Sequence, residues 1–186
     1  LSKKIHPSLM TRGVPGTHDI NMMLDFFKRI KRKEFRSLKL PKFNKAIDDR
    51  YNKKMWYSIK KRPDIIIFEG WCVGAKAEKN NTLKQPINSF EKLRDKKLIW
   101  RRYVNKQLQS KYKQLYDQLN CLLYIKSNNF SLLRKWRIKQ ETKLRLKNKR
   151  SNRNKIMSNK EVINFMQTYQ RVTQNMLKTV PKNASI

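Results

Sequence analysis

The sequence predicts an α/β fold, and three observations carry the prediction. The first is Ile65, Ile66, Ile67 and Phe68, a continuous apolar run without alternation, which is how a strand covered on both faces reads. The second is a similar short run from Cys121 to Ile125, bounded by Ser127, Asn128 and Asn129. Between them lies the third, a helical stripe of Trp100, Val104, Leu108, Tyr112, Leu115 and Leu119. Strand, helix and strand in that order imply a right-handed crossover and two parallel strands with their carboxyl ends on one side.

At 186 residues there is room for one domain with a core. Its 46 Lys and Arg against 13 Asp and Glu give a formal charge of +33, which repels itself unless anions gather on it. Nucleic acid or a polyphosphate ligand accounts for such a charge. A compositional origin, as in chains translated from AT-rich genes, accounts for it equally. Cys72 and Cys121 each sit in or beside an apolar run with no second metal ligand at the usual spacing, so both read as reduced and buried. No stretch approaches the roughly 20 apolar residues of a membrane span and no signal-peptide pattern opens the chain, which points to the cytoplasm and to no membrane partner. Because the first residue is Leu1 and a dense motif lies close to it, the natural chain is expected to begin further upstream.

Taken in order, Met10 to Asp19 holds two glycines and a proline, which makes a loop, and Asp19 is placed to N-cap the next segment. Met23, Phe26, Phe27 and Ile30 then recur at helical spacing with Lys28, Arg29, Lys31 and Arg32 outside them. His18 beside Asp19 has the residue types of a general-base pair, but neighbours in sequence seldom face each other at a helix start, which favours a capping aspartate. Leu40 to Arg50 is a second polar loop; its Asp48, Asp49 and Arg50 suit a hydroxylated or anionic small molecule, or a solvated turn with a local ion pair. After the strand from Ile65, Glu69 stands at the carboxyl end, the edge where open α/β sheets bind ligands, and Gly70 lets the backbone turn beside it. The alternative is a loop acid that caps the next segment.

Ala75 to Asn88 is a polar loop, and Ser89 to Gln118 is expected as a helix with Arg101, Arg102 and Asn105 away from the centre of its stripe. From Phe130 to Lys147 a further helix carries Leu133, Trp136, Gln140 and Leu144 on one side. Lys147 to Lys155 has no apolar residue and reads as a basic, solvated surface loop. Ser158 and Glu161 have the spacing of a capping box, ahead of a last amphipathic helix through Val162, Phe165, Met166, Tyr169, Val172 and Met176. No internal repeat is present.

Five motifs in one order carry a family resemblance: Arg12-Gly-Val-Pro-Gly-Thr-His-Asp19; Pro41-Lys-Phe-Asn-Lys45 with Asp48-Asp-Arg50; Phe68-Glu-Gly-Trp71; Trp100-Arg-Arg-Tyr-Val-Asn105; and Trp136-Arg-Ile-Lys-Gln-Glu141. From about His6 to about Leu177 the sequence resembles the bacterial and plant-type D-glycerate 3-kinases, which are similar to uridine kinase, phosphoribulokinase and pantothenate kinase. The resemblance implies a P-loop NTPase-like parallel sheet with flanking helices. It also implies that residues 1–186 are one partial kinase domain, the C-terminal two-thirds, with residues 147–157 as a basic lid or surface loop. The family's Gly-rich phosphate loop lies upstream of the His6-Pro7 motif, and no G-x-x-x-x-G-K-[ST] occurs in this sequence, so the phosphate-loop strand and helix are expected to be absent from it.

The reaction implied is transfer of the γ-phosphoryl of ATP, with Mg²⁺, to D-glycerate or a similar small hydroxy acid. Such transfer needs alignment, a bridging metal and cations over the transition-state charge. By resemblance, Glu69 is the metal ligand and a catalytic residue. Arg12, Thr17, His18, Asp19, Lys42, Asp48 and Arg50 bind the acceptor. Arg134 and Arg137 face the ATP phosphates, Arg137 also as a catalytic cation, with Arg101 and Arg102 as secondary candidates. The acid that activates the acceptor hydroxyl is expected outside this sequence. Glycines that the family places after the Trp136 motif are replaced here by Lys147 to Lys155. Two other classes stay open: a basic RNA-binding protein, argued only by charge and carrying neither an RNP-like strand nor a zinc knuckle, and a noncatalytic kinase remnant. Nonspecific nucleic-acid binding is a partner class open to either.

Overall fold

The computed structural model describes residues 2–44, 49–147 and 157–185. A short helix α1 (Ser2–Ile5) and a 3₁₀ turn lead into the loop 10–19, and helix α2 (Ile20–Ile30) comes after it. Asp19 caps α2 as its position predicts, its Oδ1 accepting from the Met22 amide at 3.1 Å. Ile20, Phe27 and Ile30 bury the apolar face of α2, while Lys28 and Arg29 lie in its last turn, where the helix dipole favours cations.

Four short strands come next, β1 (Leu38–Leu40), β2 (Phe43–Asn44), β3 (Asp49–Arg50) and β4 (Tyr57–Ile59). They form two antiparallel pairs, β1 with β4 in the register Leu38↔Ile59 and β2 with β3 in the register Phe43↔Arg50. The second pair lies inside the first in sequence, so the segment folds back on itself as a nested hairpin over α2. The polar loop expected over 40–50 is therefore partly a strand pair.

The parallel sheet expected from Ile65 to Phe68 and Cys121 to Ile125 is not formed among the described residues, where both sheets are antiparallel. Neither run is a strand. Ile65 and Ile67 are 79% and 88% exposed, and Leu123 and Ile125 are 62% and 88% exposed, so the two-sided cover assumed for these runs is missing. One side of each is packed: Phe68, Leu122 and Tyr124 lie against the core. Leu122 is held instead by the C-terminal segment, its carbonyl accepting from the Ser185 amide at 2.8 Å. Cys72 is buried as expected, but Cys121 is exposed; both are free thiols.

The long helix expected over 89–118 is broken into α3 (Ser89–Arg94), α4 (Ile99–Gln107), a π-helical turn (Leu108–Tyr112) and α5 (Lys113–Tyr116). The break has a local cause. Asp95 turns its carboxylate onto the amides of Trp100 and Arg101 at 2.9 and 3.1 Å, starting a new helix, while Leu98 takes a left-handed conformation with φ 62°. The stripe itself is buried as predicted, from Trp100 through Val104, Leu108 and Tyr112 to Leu115. Its first four members are four residues apart, and in a regular α-helix each such step rotates the side chain by roughly 40° off the face. The wider π turn absorbs that drift and returns Tyr112 to the core.

Helices α6 (Phe130–Lys147) and α7 (Asn159–Thr179) pack on one another. The capping box is present at α7, where Ser158 and Glu161 satisfy each other's amides. Those bonds to Ser158 hold the exposed Glu161 carboxyl below its ordinary pKa. Trp136 and Leu144, read as part of a packed stripe, are instead 54% and 40% exposed, although α6 packs on α7. The basic segment read over 147–157 lies mostly outside the described residues. Among the described residues no helix is long and apolar enough to cross a membrane.

Candidate active site

The loop 10–19 is shaped by two glycines. Gly16 has φ +98°, and a Cβ there would lie 2.4 Å from the Tyr103 ring. Its amide donates to Tyr112 Oη at 3.0 Å and its carbonyl accepts from Tyr103 Oη at 3.0 Å, so two tyrosines of the α4 to α5 stretch hold this one residue. Gly13 is held from the other side, its carbonyl accepting from Trp71 Nε1 at 2.9 Å and its amide donating to Thr17 Oγ1 at 2.7 Å. A Gly16→Ala substitution is expected to cost at least 2 kcal/mol, roughly the left-handed penalty plus the lost contact, read from the urea midpoint.

Arg12, Thr17, His18 and Asp19 of this loop, with Arg50 of β3, line one cavity of about 920 Å³, within the range of small-molecule sites. Arg50 Nη1 lies 3.2 Å from Asp19 Oδ2, with both side chains more than 40% exposed, so the pair is open to exchange for a ligand. The Arg12 guanidinium lies 4.4 Å over the Phe43 ring. Apolar cover comes from Phe26, Ile66 and Phe68, and Trp56 closes another part of the wall.

His18 Nδ1 is 2.6 Å from Tyr112 Oη. Burial first, and the nearby Arg12 charge second, lower the imidazole pKa from 6.5 to about 4. An imidazole held neutral in the fold but free to protonate when unfolded stabilises the fold fully above pH 6.5 and loses that contribution as pH falls toward 4. The difference is worth up to roughly 3 kcal/mol. The stability of a His18→Asn protein is therefore expected to fall less steeply than wild type between about pH 6.5 and 4, as measured by urea unfolding at each pH.

The remaining predicted residues lie elsewhere. Lys42 is not in the cavity wall; its Nζ stands 5.2 Å from the Tyr51 ring and 5.4 Å from the Tyr57 ring, between the hairpin's aromatics. Asp48 falls outside the described residues. Glu69 comes directly after the wall residue Phe68, is exposed, and makes no ion pair or hydrogen bond among the described residues. Arg134 is exposed on α6, and Arg137 on the same helix is paired with Glu141 and Gln140. Neither arginine lines the cavity.

Arg101, a secondary phosphate candidate expected away from the centre of its helical stripe, is instead buried at 3% exposure in an ion-pair network. Its Nε meets Asp95 Oδ2 at 2.9 Å, and Arg171 reaches Glu91 with Nε and Nη2, both at 2.7 Å. Arg101 is thereby removed from the ligand candidates.

No family model matches this sequence. The chloroplastic D-glycerate 3-kinase of Arabidopsis thaliana is 25% identical over 164 residues, covering 85% of this chain and 32% of the relative. A solved D-glycerate 3-kinase from Cryptococcus neoformans var. grubii aligns with TM-score 0.71 at 24% identity, over 95% of this chain and 63% of that one. In sequence and fold the chain is similar to D-glycerate 3-kinases. It spans about a third of the curated relative and less than two-thirds of the solved chain. The likeness to the solved kinase gives the fold its class, although the strands of this chain are few and short.

Sequence reading missed Tyr103, which lines the cavity, and Tyr112, whose hydroxyl meets His18. The position of Tyr112 in an apolar stripe marked it as core, which it is. Only its hydroxyl, at the loop-facing end of the ring, belongs to the site.

Proposed function

We propose that this chain supplies the acceptor-binding part of an ATP-dependent, Mg²⁺-requiring kinase for a small hydroxylated carboxylic acid, with D-glycerate as first candidate. One observation carries the reading: the loop 10–19 and strand β3, separated in sequence, bring Arg12, Thr17, His18, Asp19 and Arg50 onto one cavity. Cations and donors there suit a carboxylate, and the Asp19 carboxylate suits hydroxyls. The similarity to D-glycerate 3-kinases supports the same class.

Mg²⁺ is usually held by one or two carboxylates together with waters and substrate phosphates, and the uncommitted Glu69 beside the wall residue Phe68 fits that need. When bound, the ion neutralises charge on the transferring phosphoryl group. Arg134 is free among the described residues to reach phosphate, whereas Arg137 must first leave Glu141. No G-x-x-x-x-G-K-[ST] motif to cradle phosphates occurs in this sequence. The relative is named as chloroplastic, so the cytoplasmic location read from composition has no support from it.

The test is D-glycerate binding to residues 1–186 by NMR titration, with glycerol as the carboxylate-free control. Arg12→Ala is expected to weaken D-glycerate about tenfold or more, the size of a lost charge-assisted hydrogen bond. Asp19→Asn keeps the helix cap, since Asn and Asp cap equally well, and should weaken both compounds. Equal affinity for glycerol and D-glycerate in wild type sinks the carboxylate assignment, and ATP-dependent phosphorylation of D-glycerate by residues 1–186 alone sinks the division of labour.

A further inference from the structure

Tyr112 Oη meets the Gly16 amide at 3.0 Å, the backbone amide of His18, and His18 Nδ1 at 2.6 Å. An amide only donates, so Gly16 occupies an oxygen lone pair and leaves the phenolic hydrogen to be placed. Tyr112 is 2% exposed, and the one acceptor within reach of that hydrogen among the described residues is His18 Nδ1. If Nδ1 carried its own hydrogen, the buried phenol proton would have no partner, which folded proteins avoid. Nδ1 is therefore the bare nitrogen and Nε2 carries the hydrogen.

We infer that Tyr112 is a positioning residue that locks His18 as the neutral Nε2–H tautomer, so that the cavity meets a fixed, uncharged hydrogen-bond donor for a carboxylate oxygen of the ligand and not a base. The surrounding charges agree with this. Arg12 is the charged group that acts on His18, and Asp19, the adjacent carboxylate, is already taken up by the Met22 amide and Arg50. Two cations side by side would repel; a cation and a neutral donor do not, and together they fit a carboxylate's two oxygens. Burial first and the Arg12 charge second lower the imidazole pKa, in keeping with a ring held neutral. Two of the chain's unusual local features serve this contact: the π turn that ends at Tyr112 and the positive φ of Gly16. The tautomer rests on geometry alone, whereas the carboxylate as its ligand rests on the function proposed above.

Long-range ¹H–¹⁵N correlation NMR on ¹⁵N-labelled residues 1–186 reads the tautomer directly. His6, the second imidazole, also accepts at Nδ1 from an amide, so a His6→Gln sample is needed to assign His18 alone. Wild type is expected to show a single Nε2–H form of His18 at about pH 7 and still at about pH 5.5, well below an ordinary imidazole's titration. An Nδ1–H form, or an imidazolium at about pH 7, overturns the inference. In Tyr112→Phe, with the fold checked by circular dichroism, His18 should become a tautomer mixture and its titration midpoint should rise by about one pH unit or more. An unchanged tautomer in that variant removes Tyr112 from the role. D-glycerate affinity should drop roughly tenfold in His18→Ala while glycerol affinity holds. Wild type that binds no D-glycerate but keeps the single tautomer overturns the proposed function and leaves the assignment of Tyr112 in place.

Discussion

Replacing Glu91 by alanine is expected to destabilise the fold by about 3–5 kcal/mol, the range for breaking a buried ion pair by removing one partner. Glu91 is fully buried, with both carboxylate oxygens used. Oε1 takes Arg171 Nε at 2.7 Å, and Oε2 takes Arg171 Nη2 at 2.7 Å, the Ile87 amide at 3.0 Å and Arg101 Nη1 at 3.5 Å. Removing the carboxylate leaves two buried guanidinium groups and one amide to be resolvated inside the core. Arg171 retains the Gln85 carbonyl at 2.6 Å and Glu78 at 3.4 Å, and Arg101 retains Asp95, which keeps the loss below the cost of two bare charges. Urea unfolding followed by tryptophan fluorescence measures it. A loss under about 1 kcal/mol would place Glu91 with surface pairs and overturn the network's role in joining α3, α4 and α7. Glu91→Gln should fall between, since the amide keeps an acceptor but loses the charge.

In a protein that joins this chain to a phosphate-loop segment, Glu69→Gln is expected to lower kcat by roughly 100-fold or more, since metal stabilisation of transition-state charge is worth several kcal/mol. KM for D-glycerate should stay within about twofold, because the metal acts on charge that develops in the transition state and not on acceptor binding. Glutamine retains the shape and one oxygen but binds Mg²⁺ far less well than a carboxylate. Raising Mg²⁺ should recover part of the rate. A variant with unchanged kcat and raised KM would move Glu69 from metal to acceptor, and one with unchanged kinetics would return it to a loop acid.

What could be read along the chain was local. Asp19 as a cap, the Ser158 and Glu161 capping box and the buried stripe from Trp100 to Leu115 each depend on residues within a few positions, so spacing alone identifies them. The two glycines around Val14 and Pro15 likewise announced a loop, and the charged residues of that loop and of Arg50 do meet in one cavity. The errors are of the opposite kind. An apolar run such as Ile65 to Phe68 fixes neither a hydrogen-bonded neighbour nor a covered second face, and here it has neither. Arg101 is one arginine among many until Glu91, Asp95 and Arg171 are seen around it.

By itself, then, the amino-acid order determined where α2 and α7 start, which stripe from Trp100 to Leu115 is apolar and which loop carries Arg12 to Asp19, because those properties arise from contacts within one or two turns. Tertiary structure decided which arginines are buried and which remain free, where Glu69 stands relative to the cavity, and that Tyr112, 94 residues from His18 in sequence, sets the proton on its ring. Ion pairs and hydrogen bonds act over a few ångströms whatever the separation along the chain, so only the folded arrangement assigns their partners.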